Sequence, residues 1–266
     1  MHKATVLLTG ILLSAQCAMA SAATVIELRG EDSGQPVVND LEVNGDRIRM
    51  VIKDANNPAE VIYFADKDIA YYIDRREKYY TEVSEQSLEQ LSSQFKGVID
   101  QVQSQLEQTL EGLSDEQKAQ MGDLLANLGL GDKPEQPRPA GSFALTDKVE
   151  VINGIRCTRG VMSVDNIPTT QMCIAAPNDL PISQKDYQTI RKLALFASGL
   201  ASKISSLLPM ATASVPTFDV NSFVGLPIDF RDEKMHVSVN AVRQEPLPPI
   251  TIPDGFTKRT TPIMMQ

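Results

Sequence analysis

Two histidines, three cysteines and two short acidic runs are the residues of this chain whose types could carry chemistry. His236 lies in Met235-His236-Val237-Ser238-Val239-Asn240, where a strand would group it with Ser238 and Asn240 and away from Met235, Val237 and Val239. A histidine base needs a partnered nucleophile, and no Gly-x-Ser-x-Gly elbow occurs, so His236 reads as a solvent-facing side chain. Zinc would require four ligands where one histidine and two cysteines are on offer. Asp66-Lys67-Asp68 and Asp229-Phe230-Arg231-Asp232-Glu233 could bind calcium or move protons, but both fall at expected hairpin turns, where Asp bonds its own backbone. Neither run has the oxygen spacing of an EF-hand loop, and no glycine-rich phosphate loop is present. The expectation is a protein without cofactor, metal or catalytic residues, and not an enzyme.

The cysteines point to a compartment instead. Residues 1–22 run from His2 and Lys3 through an apolar stretch, Val6 to Leu13, into Ala18-Met19-Ala20-Ser21-Ala22, the three-part pattern of a secretory signal with cleavage after Ala20 or Ala22. A lipoprotein signal at Cys17 is disfavoured by Gln16 before it. The apolar run is too short to span a bilayer, and Lys203 interrupts the best later candidate, so no transmembrane anchor is expected. Processing would leave Cys157 and Cys173, an even number in an oxidising compartment. It would also leave 24 basic against 34 acidic residues, which excludes the electrostatic footprint of a nucleic-acid binder.

The elements that must position these residues are mostly strands. Thr24 to Val83 alternates apolar and polar residues between turn signals such as Asn44-Gly45, Asp66-Lys67 and Arg75-Arg76, the pattern of an antiparallel sheet with one wet face. Residues 84–128 carry Leu88, Leu91, Phe95, Val98 and Val102 at three-four spacing and predict amphipathic helices, ended by Gly129 and Gly131 and the proline-rich connector 133–139. This makes 84–132 a helical insertion in a single domain, 23–266. Strands resume from Phe143 to Ala176. A hairpin centred on Asp165 opposes residues whose numbers total 330, which sets Cys157 opposite Cys173 and predicts their disulfide. A further helix is expected from Ser183, capped with Asp186 as its box partner, to Leu208, and strands follow near Ile228, Val237 and Ile252. The count is ten or eleven strands.

Several segments together, Asn44-Gly45-Asp46-Arg47-Ile48-Arg49-Met50, Asp74-Arg75-Arg76-Glu77-Lys78-Tyr79-Tyr80, Asn153-Gly154-Ile155-Arg156-Cys157 and Gln171-Met172-Cys173-Ile174-Ala175, followed by Leu226-Pro227-Ile228 and Ile252-Pro253-Asp254-Gly255-Phe256, resemble exported bacterial proteins with domain of unknown function 4412. That family stands near the lipoprotein carriers LolA and LolB. The resemblance implies an α+β fold: a strongly curved antiparallel sheet, an incomplete barrel, with helices packed in or over its concave face. It also implies a periplasmic protein. The carriers hold lipoprotein acyl chains in that hollow, but no functional residue transfers, because the long Gln-rich helices of 84–128 depart from the carriers' short lid and no arginine matches the one that locks it.

Alternation assigns Ile48, Met50, Ile52, Ile69, Tyr71, Ile73, Tyr79, Val237 and Val239 to one sheet face, the expected lining for an apolar ligand. The doublets Tyr71-Tyr72 and Tyr79-Tyr80 must each send one ring to either side. Two functions follow as expectations. One is a non-enzymatic periplasmic protein that binds an apolar or acyl-chain ligand, such as a lipid or lipoprotein, or senses an envelope component. The other is an envelope protein-interaction module whose hollow is filled by its own helix, 183–208.

Overall fold

The computed structural model describes residues 22–53, 58–90, 92–93, 97, 141–207 and 223–259. Short turns with left-handed backbone build its hairpins: Ser33-Gly34, Asn153-Gly154 and Asp165-Asn166 each hold both central residues at positive φ, the geometry that matches the twist of the flanking strands. The strands are β1 (Ala22–Asp32), β2 (Gln35–Asn44), β3 (Arg47–Ile52), β4 (Ala59–Phe64), β5 (Ile69–Asp74), β6 (Tyr79–Val83), β7 (Gly141–Ile152), β8 (Ile155–Val164), β9 (Ile167–Ala175), β10 (Leu226–Arg231), β11 (Met235–Pro246) and β12 (Thr257–Arg259). They form one open, curved sheet in the order β12-β6-β5-β4-β3-β2-β1-β11-β10-β9-β8-β7. Every pairing is antiparallel except that of β12, which adds parallel to β6. Among the described residues there are twelve strands where ten or eleven are expected, and the longest connection runs from β6, next to one edge of the sheet, to β7 at the other.

One face of β1 to β5 is covered by a long helix, Gln184–Leu207. The helix starts where its sequence demands: the Asp186 backbone N–H donates to Ser183 Oγ at 3.0 Å. The expected box closes differently, because the Asp186 carboxylate accepts from Thr24 Oγ1 at 2.7 Å and so ties the first helical turn to β1. Farther along, Thr189 Oγ1 donates to the Gly45 carbonyl, and the Phe196 ring lies 5.1 Å from that of Tyr63. Tyr187, Ile190, Leu193 and Phe196 thereby close a core over Ile26, Leu41, Val43, Ile48 and Tyr63.

The opposite face of β4 and β5 is apolar as well, and a different segment covers it. After β11 the chain passes Pro246-Leu247-Pro248-Pro249 and buries Ile250, with Ile252 and Phe256, against Ile62, Phe64 and Ile73. Arg47 Nη1 donates to the Ile250 carbonyl at 2.7 Å and stacks its guanidinium on Phe64. Both faces of this pair of strands are therefore core. The expected insertion at 84–132 begins as read: Ser84 and Ser87 cap one another reciprocally, each backbone N–H donating to the other's hydroxyl, and a helix runs over 85–90 with Leu88 buried. Beyond 90 only 92–93 and 97 of the expected stretch to Leu128 are described, also as helix, and of the expected leader 1–22 only Ala22, the first residue of β1.

Candidate functional site

Register decides which of the expected lining residues meet. Along the helix-covered face the cross-strand partners are Val43 with Ile48, Leu41 with Met50, Ile48 with Tyr63 and Tyr63 with Ala70. Ile48, Met50 and Ile52 belong to that face, Val237 and Val239 join it across β1 opposite Gly30 and Leu28, and Tyr79 joins it opposite Asp74. Ile69, Tyr71 and Ile73 do not: they oppose Phe64, Ile62 and Glu60, on the face covered by Ile250. The nine residues expected on one face are split six and three. The tyrosine doublets divide as strand geometry requires, with Tyr71 and Tyr80 in edge-to-face contact on one side and Tyr72 and Tyr79 on the other.

The six are not an open wall either. Ile48 and Val239 are buried in the core cluster, Met50 packs against it, and Tyr63 beside them is 0% exposed beneath Phe196. Burial, with the Asp68 carboxylate that accepts from its hydroxyl at 2.6 Å, pushes the Tyr63 phenol well above its ordinary range and keeps it a neutral donor.

A charged chain runs through the other wing of the sheet. Arg159, Cys173, Asp229 and Ser238 stand in one cross-strand row over β8, β9, β10 and β11. Arg159 Nη1 donates to Asp229 Oδ2 at 2.6 Å, and its other nitrogen to Glu150. Lys148 reaches Glu150 at 2.7 Å, and His236 Nε2 contacts Asp229 Oδ1 at 2.8 Å. The Asp229 side chain is 2% exposed, so its charge is sustained by Arg159 and the imidazole rather than by water. Hydrogen bonds from Arg159 and then Lys148 pull the Glu150 carboxyl down to about 2. His236 is exposed, as its strand position implied, but it is tied to Asp229 within the acidic run that the sequence assigned to a turn. A histidine and a carboxylate in this arrangement could orient a base. Among the described residues the ring contacts only Asp229 and Arg231, with no hydroxyl or thiol to activate. No group of three or more His, Cys, Asp or Glu able to hold a metal occurs among the described residues.

Cys157 and Cys173 form a disulfide with Cα atoms 5.4 Å apart, both side chains buried. The pairing is as expected, but its register is not. The turn is Asp165-Asn166, and an irregularity between Met162 and Ser163 shifts the ladder, so Cys173 stands opposite Arg159 and the cysteines bond on the diagonal.

Beside the disulfide lies a depression of about 300 Å³ lined by Leu145, Arg156, Cys157, Thr158, Ile174, Ala176, Asp179 and Val224. Its rows are Val151 opposite Arg156, and Val149 opposite Thr158, itself opposite Ile174. Leu145 opposes Gly160, where Phe143 packs so closely that a Cβ would sit 2.3 Å from its ring. Leu145, Val149, Val151 and Val224 are exposed by 50, 49, 68 and 73%. Sequence reading placed strands here without assigning their faces, and so missed this surface as well as Arg159. The alternation of Val149 and Val151 with Glu150 and Ile152 was the available signal.

No family model matches the chain, and no curated protein matches it. Among solved structures it is similar to one described as PNGF-II, over 90% of this chain and 31% of that one, at 10% identity and a TM-score of 0.39. The chain spans about a third of that protein's length, and a likeness at this level carries no argument about either fold or activity.

Proposed function

We propose that this chain is a non-enzymatic, exported interaction module of the bacterial periplasm, its curved sheet filled by its own helix. The observation that carries the reading is the seating of the long helix: Tyr63 is 0% exposed against Phe196, and Ile48 and Val43 are buried with it. An acyl-chain binder needs a largely preformed apolar pocket. Five of the residues expected to line one are instead spread over two separate cores, Ile48, Met50 and Val239 beneath the helix and Tyr71 and Ile73 beneath Ile250. No helix among the described residues is long and apolar enough to cross a membrane. The helix in the concave hollow, the processed leader 1–22 and the kinship with the domain of unknown function 4412 and the lipoprotein carriers belong to this proposal.

Native mass spectrometry of protein recovered from periplasm without detergent tests it. The expected spectrum shows the processed chain free of lipid, alone or with a stoichiometric protein partner. A reproducible lipid adduct, lost in Ile52→Phe at unchanged melting temperature, overturns it in favour of the acyl-chain reading.

A further inference from the structure

The depression beside the disulfide lies in a wing that exposes apolar side chains where the β1 to β3 surface carries ion pairs. Over β1, β2 and β3 ion pairs cover the surface: Glu27 pairs with Arg29 and Arg243, Asp40 with Lys53, and Glu42 with Arg49. Over β7 and β8 the exposed row is Leu145, Val149 and Val151, extended by Val224 from the loop before β10. Two charges border it, Arg156 and Asp179, and neither side chain has an ion-pair partner among the described residues. We infer that this face is where a second copy of the chain docks about a two-fold axis, with Arg156 of each copy opposite Asp179 of the other.

The argument is one of self-complementarity. In a two-fold contact a surface meets itself, so any charge it carries must find the opposite charge elsewhere on the same surface. One free cation and one free anion beside an apolar strip meet that condition. An anionic amphiphile would satisfy Arg156 and set its charge against Asp179, and a cationic ligand would do the reverse. The chain as a whole carries a formal charge of -9, which opposes nonspecific self-association and leaves a matched local pair to supply the specificity. Edge-to-edge pairing is the other way two such sheets could join, and β7 is built against it. Residues 146–148 bulge out of the ladder, and Lys148 projects there with its side chain 72% exposed. The copies therefore meet face to face, apolar strip on apolar strip.

Sedimentation equilibrium on the exported, disulfide-bonded full chain tests this. The wild type should dimerise, and Arg156→Asp or Asp179→Arg alone should each raise the dissociation constant about tenfold or more, since two symmetric contacts turn repulsive. The double reversal, Arg156→Asp with Asp179→Arg, should recover most of the loss. Both positions are exposed, so melting temperature should hold throughout, and Val151→Asp should also give monomer without unfolding. A wild type that stays monomeric at concentrations on the order of 100 μM overturns the inference. So does a double reversal no better than the singles, or a wild-type dimer mass that Arg156→Asp and Asp179→Arg leave unchanged.

Discussion

The two wings of this sheet solve the same problem, an antiparallel strand with one face to cover, in opposite ways. In the wing from β1 to β6 the covering elements are the long helix and the segment around Ile250, and the uncovered strand surface of β1 to β3 is laced with ion pairs. In the wing from β7 to β11 Arg159 turns onto the buried Asp229, which His236 also contacts, while Leu145, Val149 and Val151 face outward beside the exposed Arg156 and Lys148. A soluble strand gains by the first arrangement and loses by the second, because exposed apolar rows contribute nothing until something covers them. The difference separates a wing whose apolar face is covered from a wing whose apolar row stays exposed.

That contrast predicts where substitutions hurt. Tyr63→Ala should cost about 3 to 5 kcal/mol, since it empties the centre of the helix–sheet core. Val151→Ala, 68% exposed at the start, should stay within about 0.5 kcal/mol in the same urea titration. Comparable losses at both positions would break the comparison, by making Val151 part of a core.

Next in size is the inward charge. Arg159→Met should destabilise by about 3 kcal/mol, because it leaves the Asp229 carboxylate buried with only His236 beside it. Replacing Asp229 by Asn in the same background should return part of that loss, a rescue that a purely steric role for Arg159 would not show. The disulfide comes close behind. It closes a sequence separation of 16 residues, and its removal by Cys157→Ala with Cys173→Ala should cost about 3 kcal/mol in chemical denaturation. If the β7 wing is instead held by its apolar contacts to Phe223 and Phe230, that loss shrinks below about 1 kcal/mol.

Much of this architecture was legible in the residues, and what was not has identifiable causes. Asn153-Gly154 names its turn because few other pairs tolerate positive φ at both places, Asn44-Gly45 because Gly45 takes positive φ as the first residue after β2, and Ser183 marks its helix because its hydroxyl accepts from the Asp186 backbone N–H. The disulfide could be read from cysteine count and hairpin spacing, but a one-residue irregularity moved its register, and irregularities leave no trace in an apolar pattern. Ile69, Tyr71 and Ile73 were assigned to the wrong face for a related reason. Alternation tells which residues of a strand point together, not which of two covers they point toward, and the cover here arrives from Ile250, far along the chain. Arg159 was missed because its partners, nine and seventy residues away, are brought together only by the order of strands.

Acid sharpens the comparison further. The Glu150 carboxyl lies near 2 in the folded protein against an ordinary value of 4.5, so whatever it contributes is fully present above about pH 4.5 and drains away as pH falls toward about 2. Glu150→Gln should lower the urea midpoint at neutral pH and flatten its fall across that window, so that variant and wild type converge near pH 2. A deficit of the same size at neutral pH and near pH 2 would mean that Glu150 acts through packing rather than through its charge on Arg159.

The smallest effect belongs to the ion pairs of the first wing, and it is the most diagnostic of what they are for. A double-mutant cycle on Arg49 and Glu42, with Arg49→Met and Glu42→Gln, should return a coupling below about 1 kcal/mol, since a partly solvated pair gains little over its hydrated ions. Raising salt toward about 1 M should shrink that coupling further by screening. If these pairs matter less for stability than for keeping the surface wet, the single variants should fold normally yet expose a row that β7 already exposes. Arg49→Val with Glu42→Val would then extend the contact character of one wing to the other, and the measurable consequence is self-association at unchanged melting temperature. A melting temperature that falls by many degrees in that double variant would instead place the ion pairs among the supports of the sheet, and the division between a stabilising wing and a contacting wing would fail at this strand pair.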